Sequence, residues 1–299
     1  MIESDLRSRD GEAGRNDQPT VSNHRGNSVE WQTDSLAAAN TGNAQFQGDD
    51  IATFTAASVT QRLGNRTQIS RKEVIISGTL DAVNKAGRRT ELAYQLTKRG
   101  KELKIDIEAI LLSNQAKVTG AAATAPKCAS VLSWLKTNVA NVVAGGSNPT
   151  GDGSDARIDG TTPVAFTEAM LKTAMKSVYT NSSEDLDVLM VGASNKQVAS
   201  TFAGNATKMV DVMEKQVVAT VDVYVGDFHT IRIIPNRFMR TRDALLLNWS
   251  YWSVDWLRPI HQVPLAKTGD AEKRMLIGEY TLSAKNEASS GGIFDLTTP

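Results

Sequence analysis

The stretch Glu30–Ile51, EWQTDSLAAANTGNAQFQGDDI, opens like a β-strand and then dissolves into Ala, Asn, Gly, Gln and Asp. Strand-like order resumes only in Ser58–Gly78, SVTQRLGNRTQISRKEVIISG. There Val59, Leu63, Thr67, Ile69, Val74 and Ile76 roughly alternate with polar residues. The pattern is two strands joined by a long polar loop, a hairpin over 29–73. Its centre, Ala37–Gly48, offers only Phe46 as a large apolar group. Such a hairpin has no evident core face of its own, so its stabilising partner must be sought elsewhere.

The rest of the chain is ordinary globular material. Of 299 residues, 40% are hydrophobic and 22% charged, values that argue against general disorder. Thirty-three basic side chains balance thirty-three acidic ones, without the basic excess of an electrostatic nucleic-acid binder. No apolar run is long enough for a transmembrane helix, and the polar start MIESDLRSRDGEAGRNDQP lacks a signal-peptide core. A single cysteine, Cys128, excludes an internal disulfide framework and fits a reducing cytoplasm. Residues 1–28, rich in Asp, Arg, Asn and Gly, read as a flexible arm.

Downstream of the hairpin the spacing predicts a long helix over Arg88–Lys117. Leu92, Leu96, Arg99, Leu103, Ile107, Ile110 and Asn114 recur every three or four residues, and Gly100 is placed on or near the polar side. At 1.5 Å per residue it would run about 40 Å, long enough to organise a domain. A small-residue linker, Gly120–Pro126, precedes a second expected helix over Ser130–Val143. Val143–Pro163, VAGGSNPTGDGSDARIDGTTP, reads as a mobile surface loop. A helix is expected from Thr167, a buried strand over Asp185–Gly192, and a brief helix over Asn195–Phe202 capped by Ser194. VDVYVGDFHTIRIIPNR reads as two strands turned at Gly226–Asp227. Further strands follow at Ala244–Leu247, Tyr251–Leu257 and along MLIGEYTLSAKNE. Helices and strands mix without a βαβ rhythm, which makes the fold class α+β.

Nothing in the sequence assembles an active site. The three histidines, His24, His229 and His261, form no metal-ligand spacing, and Cys128 has no nucleophile signature around it. GGSNPTGDGSD lacks the ending of a phosphate-binding loop. The faint calcium pattern from Asp155 to Asp159-Gly160 puts Phe166 where a bidentate Glu is needed. No catalytic, metal or cofactor residue is expected. Trp249, Tyr251, Trp252 and Trp256 crowd together without the basic groove of a base-stacking platform, so they read as core or subunit-contact residues. The turn Asn236–Asp243, with Arg237, Arg240 and Arg242, is either a solvated loop or a charge partner for a neighbouring chain.

The ordered motifs EWQTDSLA, GDDI, GNRTQISRKEVIISGT, ELAYQL, KELKIDIEA, VDVYVGDFHTIRIIPNRFMRTRDALLL and LAKTGDAEKRMLIGEYTLSAKNE resemble those of tailed-bacteriophage major capsid proteins, from Glu30 to the C-terminus. Residues 1–28 depart from that pattern, in which the arm is usually more apolar. The resemblance implies a Hong Kong 97-like shell fold. Its parts would be an N-terminal arm (1–28), an extended E-loop (29–73), a P-domain with a spine helix (74–125), an A-domain (126–255) and a returning P-domain strand (256–299). It further implies self-assembly into hexamers and pentamers, a portal protein at one vertex, possible scaffolding or decoration proteins, enclosed double-stranded DNA, and a place in the virion capsid after assembly in the host cytoplasm. Expected subunit contacts are Trp31, Phe46, Arg62, Arg66, Arg71, Lys72, Arg237, Arg240 and Arg242. A hairpin lacking its own core could then lie across the next subunit, a contact that closes a shell on repetition. The rival readings are an encapsulin-type shell around enzymes and an enzyme with an unrecognised site.

Overall fold

A computed structural model describes residues 23–34, 37, 39–48, 54, 56–57, 59–83, 90–140, 142–182, 184–202 and 223–297. Most of the expected arm, 1–28, and the expected helix start at Arg88 lie outside these residues. In chain order the strands are β1 (Asn23–Arg25), β2 (Ser28–Thr33), β3 (Gln61–Arg66), β4 (Gln68–Ser77), β5 (Val139–Ala140), β6 (Val188–Val191), β7 (Val223–Val225), β8 (Thr230–Pro235), β9 (Ala244–Leu247), β10 (Trp252–Pro264), β11 (Ala271–Ala284) and β12 (Gly291–Ile293). The helices are α1 (Gly78–Ala82), α2 (Glu91–Leu111), α3 (Glu168–Asn181) and α4 (Ala193–Ala199).

The strands form three sheets: β1-β2-β3, β10-β11-β4, and a mixed six-stranded sheet ordered β5-β12-β9-β6-β8-β7. The architecture is α+β, as the mixed pattern of elements predicts. In β6 and β9 alternate residues face opposite ways, which builds two cores on one wall. Val188, Met190, Leu245 and Leu247 join a core with Leu103, Ile107, Trp134 and Tyr280. Leu189, Val191, Ala244 and Leu246 pack with Ile231, Ile233 and the Leu171, Ala174, Met175 and Val178 face of α3. Thr167 caps α3 by accepting from the Met170 N–H at 3.4 Å. The Gly226–Asp227 turn between β7 and β8 forms as expected.

The long helix expected over Arg88–Lys117 forms as α2 but is shorter than expected. It spans 21 residues, about 31 Å, and buries Leu103, Ile107 and Leu111 against β4, whose Val74 and Ile76 face it. The apolar spacing continues to Asn114, but the helix stops at Leu112, where ψ reaches 0°. Beyond it, Asn114 and Gln115 spend their amides on other segments. Asn114 donates to Arg157 O at 2.7 Å and accepts from Arg157 N at 3.0 Å. Gly100 is half-buried, and a Cβ added there would meet Leu276 Cδ1 of β11 at 3.9 Å, so the position faces that strand and not the solvent.

Four other expectations are corrected. Ser130–Val143 is not a helix. A single 3₁₀ turn at Val131–Ser133 precedes buried Trp134 and Leu135, then β5. Its polar groups are captured by distant backbone: Ser130 N and Ser133 Oγ donate to Gln115 O, and Asn138 Nδ2 donates to Ala288 O and Ser290 O. The brief helix near 195 starts at Ala193 with Gly192 as its N-cap, and Ser194 is its second residue. The 143–163 segment lies at the surface only in part, because Gly153, Arg157 and Gly160 are buried. Finally, 256–299 does not act as one strand: β11 pairs with β4, whereas β12 enters the six-stranded sheet between β5 and β9.

Candidate assembly surface

The 29–73 hairpin has an anchored base and an unsupported end. At the base Val29 is buried, and Asn65, also buried, donates to Leu282 O at 2.7 Å and Ala129 O at 3.1 Å. Asn65 Oδ1 accepts from Ala129 N at 2.8 Å. Thr67 Oγ1 donates to Glu279 at 2.7 Å. The base therefore belongs to the subunit core, contrary to the expectation that the hairpin lacks one. β2 and β3 pair from Ser28↔Arg66 to Thr33↔Gln61, and no ladder is described beyond. Towards the end Phe46 and Phe54 are each 85% exposed and Val59 is 93% exposed. Exposing this much aromatic and aliphatic surface forgoes about 1.5–3 kcal/mol per side chain that burial would recover.

A second bare surface lies on the β10-β11-β4 sheet. In β4 Val74 and Ile76 turn towards α2, while Ile69, Arg71, Glu73 and Ile75 are exposed on the opposite face. The register sets Glu73 beside Met275 and Met275 beside Val263, so an apolar centre carries charged neighbours. Among the described residues no helix covers it. Sequence reasoning passed over this face because Ile69 and Ile75 look like core residues until β4 has a register.

The expected contact residues divide sharply. Phe46 is bare, and Arg237 is exposed on its turn. Trp31 instead turns inward, its ring 5.3 Å from that of Trp134 and tilted by 48°. Arg62 pairs with Glu30 at 2.9 Å, Arg66 donates to Asn27 at 3.3 Å, Arg71 meets Glu73 at 2.8 Å, and Lys72 reaches Asp106 of α2 at 2.5 Å. Arg240 pairs with Asp159 and, at 3.0 Å, with Asp243. Arg242 holds Asp295 at 2.9 Å. All these bonds lie within the chain, so most of this basic surface already has anionic or carbonyl company. For exposed pairs such company is worth about 0–1 kcal/mol and still permits exchange for a neighbour's carboxylate.

Between hairpin and body runs an open groove of about 510 Å³, lined by Gln32, Leu63, Trp134, Lys136, Asp152 and Glu287 among others. Its carboxylates are committed: Glu287 accepts from Lys136 N, Thr137 N and Thr137 Oγ1, and Asp152 from Ser154 N and Thr150 Oγ1. Among the described residues no three His, Cys, Asp or Glu side chains are grouped to hold a metal. Cys128 is fully buried, and burial pushes its thiol up to about 12, away from nucleophilic character. No described helix is long and apolar enough to cross a membrane.

The chain is 30% identical over 301 aligned residues to the major capsid protein of Escherichia phage Phieco32, covering 88% of this chain and 84% of the relative. Its fold matches a chain of the Cyanophage A-1(L) capsid asymmetric unit with a TM-score of 0.61 at 13% identity, over 92% of this chain and 90% of the other. A chain of Gordonia phage Cozz matches with a TM-score of 0.55 at 14% identity, over 92% and 82%. The model of one family, the SU10 major capsid protein, matches residues 14–297, and the chain belongs to that family of phage major capsid proteins.

Proposed function

We propose that this chain is the shell-forming subunit of a phage head with a Hong Kong 97-like fold. In it 29–67 form the extended hairpin. The β10-β11-β4 sheet with α2 forms the peripheral part, and the six-stranded sheet with α3, α4 and β12 the axial part. The observation that carries this reading is the presence of two bare apolar surfaces in one chain. The hairpin ends in exposed Phe46, Phe54 and Val59, while the sheet opposite α2 exposes Ile69 and Ile75. Each lacks in its own subunit what the other offers. A heterologous contact of this kind, repeated around rings of six and five, closes into a shell.

Near-zero net charge suits a container for double-stranded DNA, since a strongly cationic wall would bind the genome through its phosphates. A portal at one vertex and scaffolding or decoration proteins are the expected partners, the virion is the site of action, and no catalysis is assigned. The test is Phe46→Asp with Phe54→Asp in the full chain. Neither side chain is buried in the subunit, so circular dichroism and melting should match the parent, while sedimentation should show subunits or capsomers without shells. Normal shells from the double variant would remove the hairpin's end from the assembly contact.

A further inference from the structure

Three arginines and three aspartates meet where three distant segments cross. Arg157 and Asp159 come from the 143–163 segment, Arg240, Arg242 and Asp243 from the turn before β9, and Asp295 from the segment after β12. Asp295 is well provided for. It accepts from Gly160 N at 2.8 Å, Arg242 at 2.9 Å and Arg157, and its backbone takes φ +56°, rare for a residue with a side chain. Asp243 is not. Its side chain is fully buried and Arg240 Nη1 lies 3.0 Å from Oδ2, yet neither carboxylate oxygen accepts a hydrogen bond.

Two carboxylates so differently supported part company. Burial opposes the charge of Asp295, but Gly160 N–H, Arg157 and Arg242 outweigh it and hold the group below the usual carboxylate range. For Asp243 burial dominates and Asp159 adds repulsion. Arg240, Arg157 and Arg242 oppose them too weakly, and the group rises to about 7.

The geometry points to Asp243 as a proton-controlled competitor of Asp159 for Arg240, so that deprotonation loosens the 143–163 segment from the turn before β9. While Asp243 is neutral, Arg240 serves Asp159 alone. Once ionised, Asp243 draws on the same guanidinium and repels Asp159 across it. Arg157 and Arg242 stay with Asp295 throughout, and Arg242 keeps its bond to Gly160 O at 2.8 Å and its 3.9 Å approach to Asp159, so the loosening is partial and confined to the Asp159 side of the cluster. Sequence reading set Asp155 and Asp159 aside as a poor calcium loop and gave Asp243 no role, because this competition exists only after folding.

Amide hydrogen exchange on the full chain, corrected for intrinsic rate, tests the device at about pH 6 and about pH 8, either side of the Asp243 midpoint. Protection at Ile158 and Thr161, whose amides donate within the segment to Ser147 O and Ala144 O, should fall several-fold between the two in the parent, while Gly160, held by Asp295, should change little. Asp243→Asn should hold it at the higher level at both. If that variant does not fold, Asp159→Asn, whose site is part-exposed, should give weak protection independent of pH. Unchanged protection in the parent, or the same fall in Asp243→Asn or Asp159→Asn, would overturn the assignment.

Discussion

Asp295 and Arg157 show how far a single pair can reach. Both side chains are fully buried, and the pair joins residues 138 positions apart, pinning the Gly-rich segment to the end of the chain. The guanidinium also lies 4.4 Å from the Phe294 ring centroid. Arg157→Met would leave Asp295 buried with fewer donors, and removing one partner of a buried pair costs about 3–5 kcal/mol. Denaturant melts should show that loss. A change under about 1 kcal/mol would mean the pair is not desolvated. The pH response has two limbs. Asp295, depressed in the fold, contributes stability present above its unfolded value near 3.9 and lost as pH falls through its folded value. Asp243, raised in the fold, contributes stability present below that unfolded value and lost as pH rises through about 7. Stability should therefore decline from pH 5 towards neutrality in the parent, and Asp243→Asn should flatten that decline. Cys128 makes a plainer prediction: a thiol reagent at neutral pH should leave it unmodified in the native chain and react fully once the chain is unfolded. Asp243 and Asp295 did not announce themselves in the sequence, where Arg240 and Arg242 read as part of either a solvated loop or a charge partner for another chain. Charge pairs across a hundred residues leave no local spacing to read.

Elements were more legible, where one period ruled. Alternation in VDVYVGDFHTIRIIPNR and MLIGEYTLSAKNE gave β7, β8 and β11, and the 3–4 spacing gave α2, because burial on one face enforces those periods. Ser130–Val143 misled because Val131–Leu135 is buried all round, so its apolar run has no face to betray its geometry. The α2 stripe itself should be the stability centre. Ile107→Asp would place an unpaired charge among Leu103, Leu111 and β4, costing several kcal/mol, and should give insoluble or unfolded protein. A soluble variant with unchanged melting would show that face to be wet. The hairpin divides functionally at the end of its ladder. Replacing 35–59 with a short Gly-Ser turn keeps the Thr33↔Gln61 pairing and the Asn65 anchor. The shortened chain should melt like the parent and stay a subunit or small capsomer. A much less stable chain would put the removed residues in the subunit's own core.

At the scale of the molecule, two cores share the six-stranded sheet as a wall, while the hairpin's end and the β4 sheet face remain bare. On the proposed reading, this answers the puzzle of EWQTDSLAAANTGNAQFQGDDI: the hairpin's base is stabilised within its own chain, and its exposed end is the part proposed to meet a neighbour. In that proposal the few apolar groups of the end supply appreciable contact energy only when the contact is repeated. The most direct measurement is a cryo-electron microscopic reconstruction of particles formed by the full chain. Closed icosahedral shells are expected, in which Phe46, Phe54 and Val59 of each subunit are buried against the exposed Ile69 and Ile75 face of the next. Shells whose hairpin ends touch only their own subunit, or stand free in solvent, would contradict the proposal.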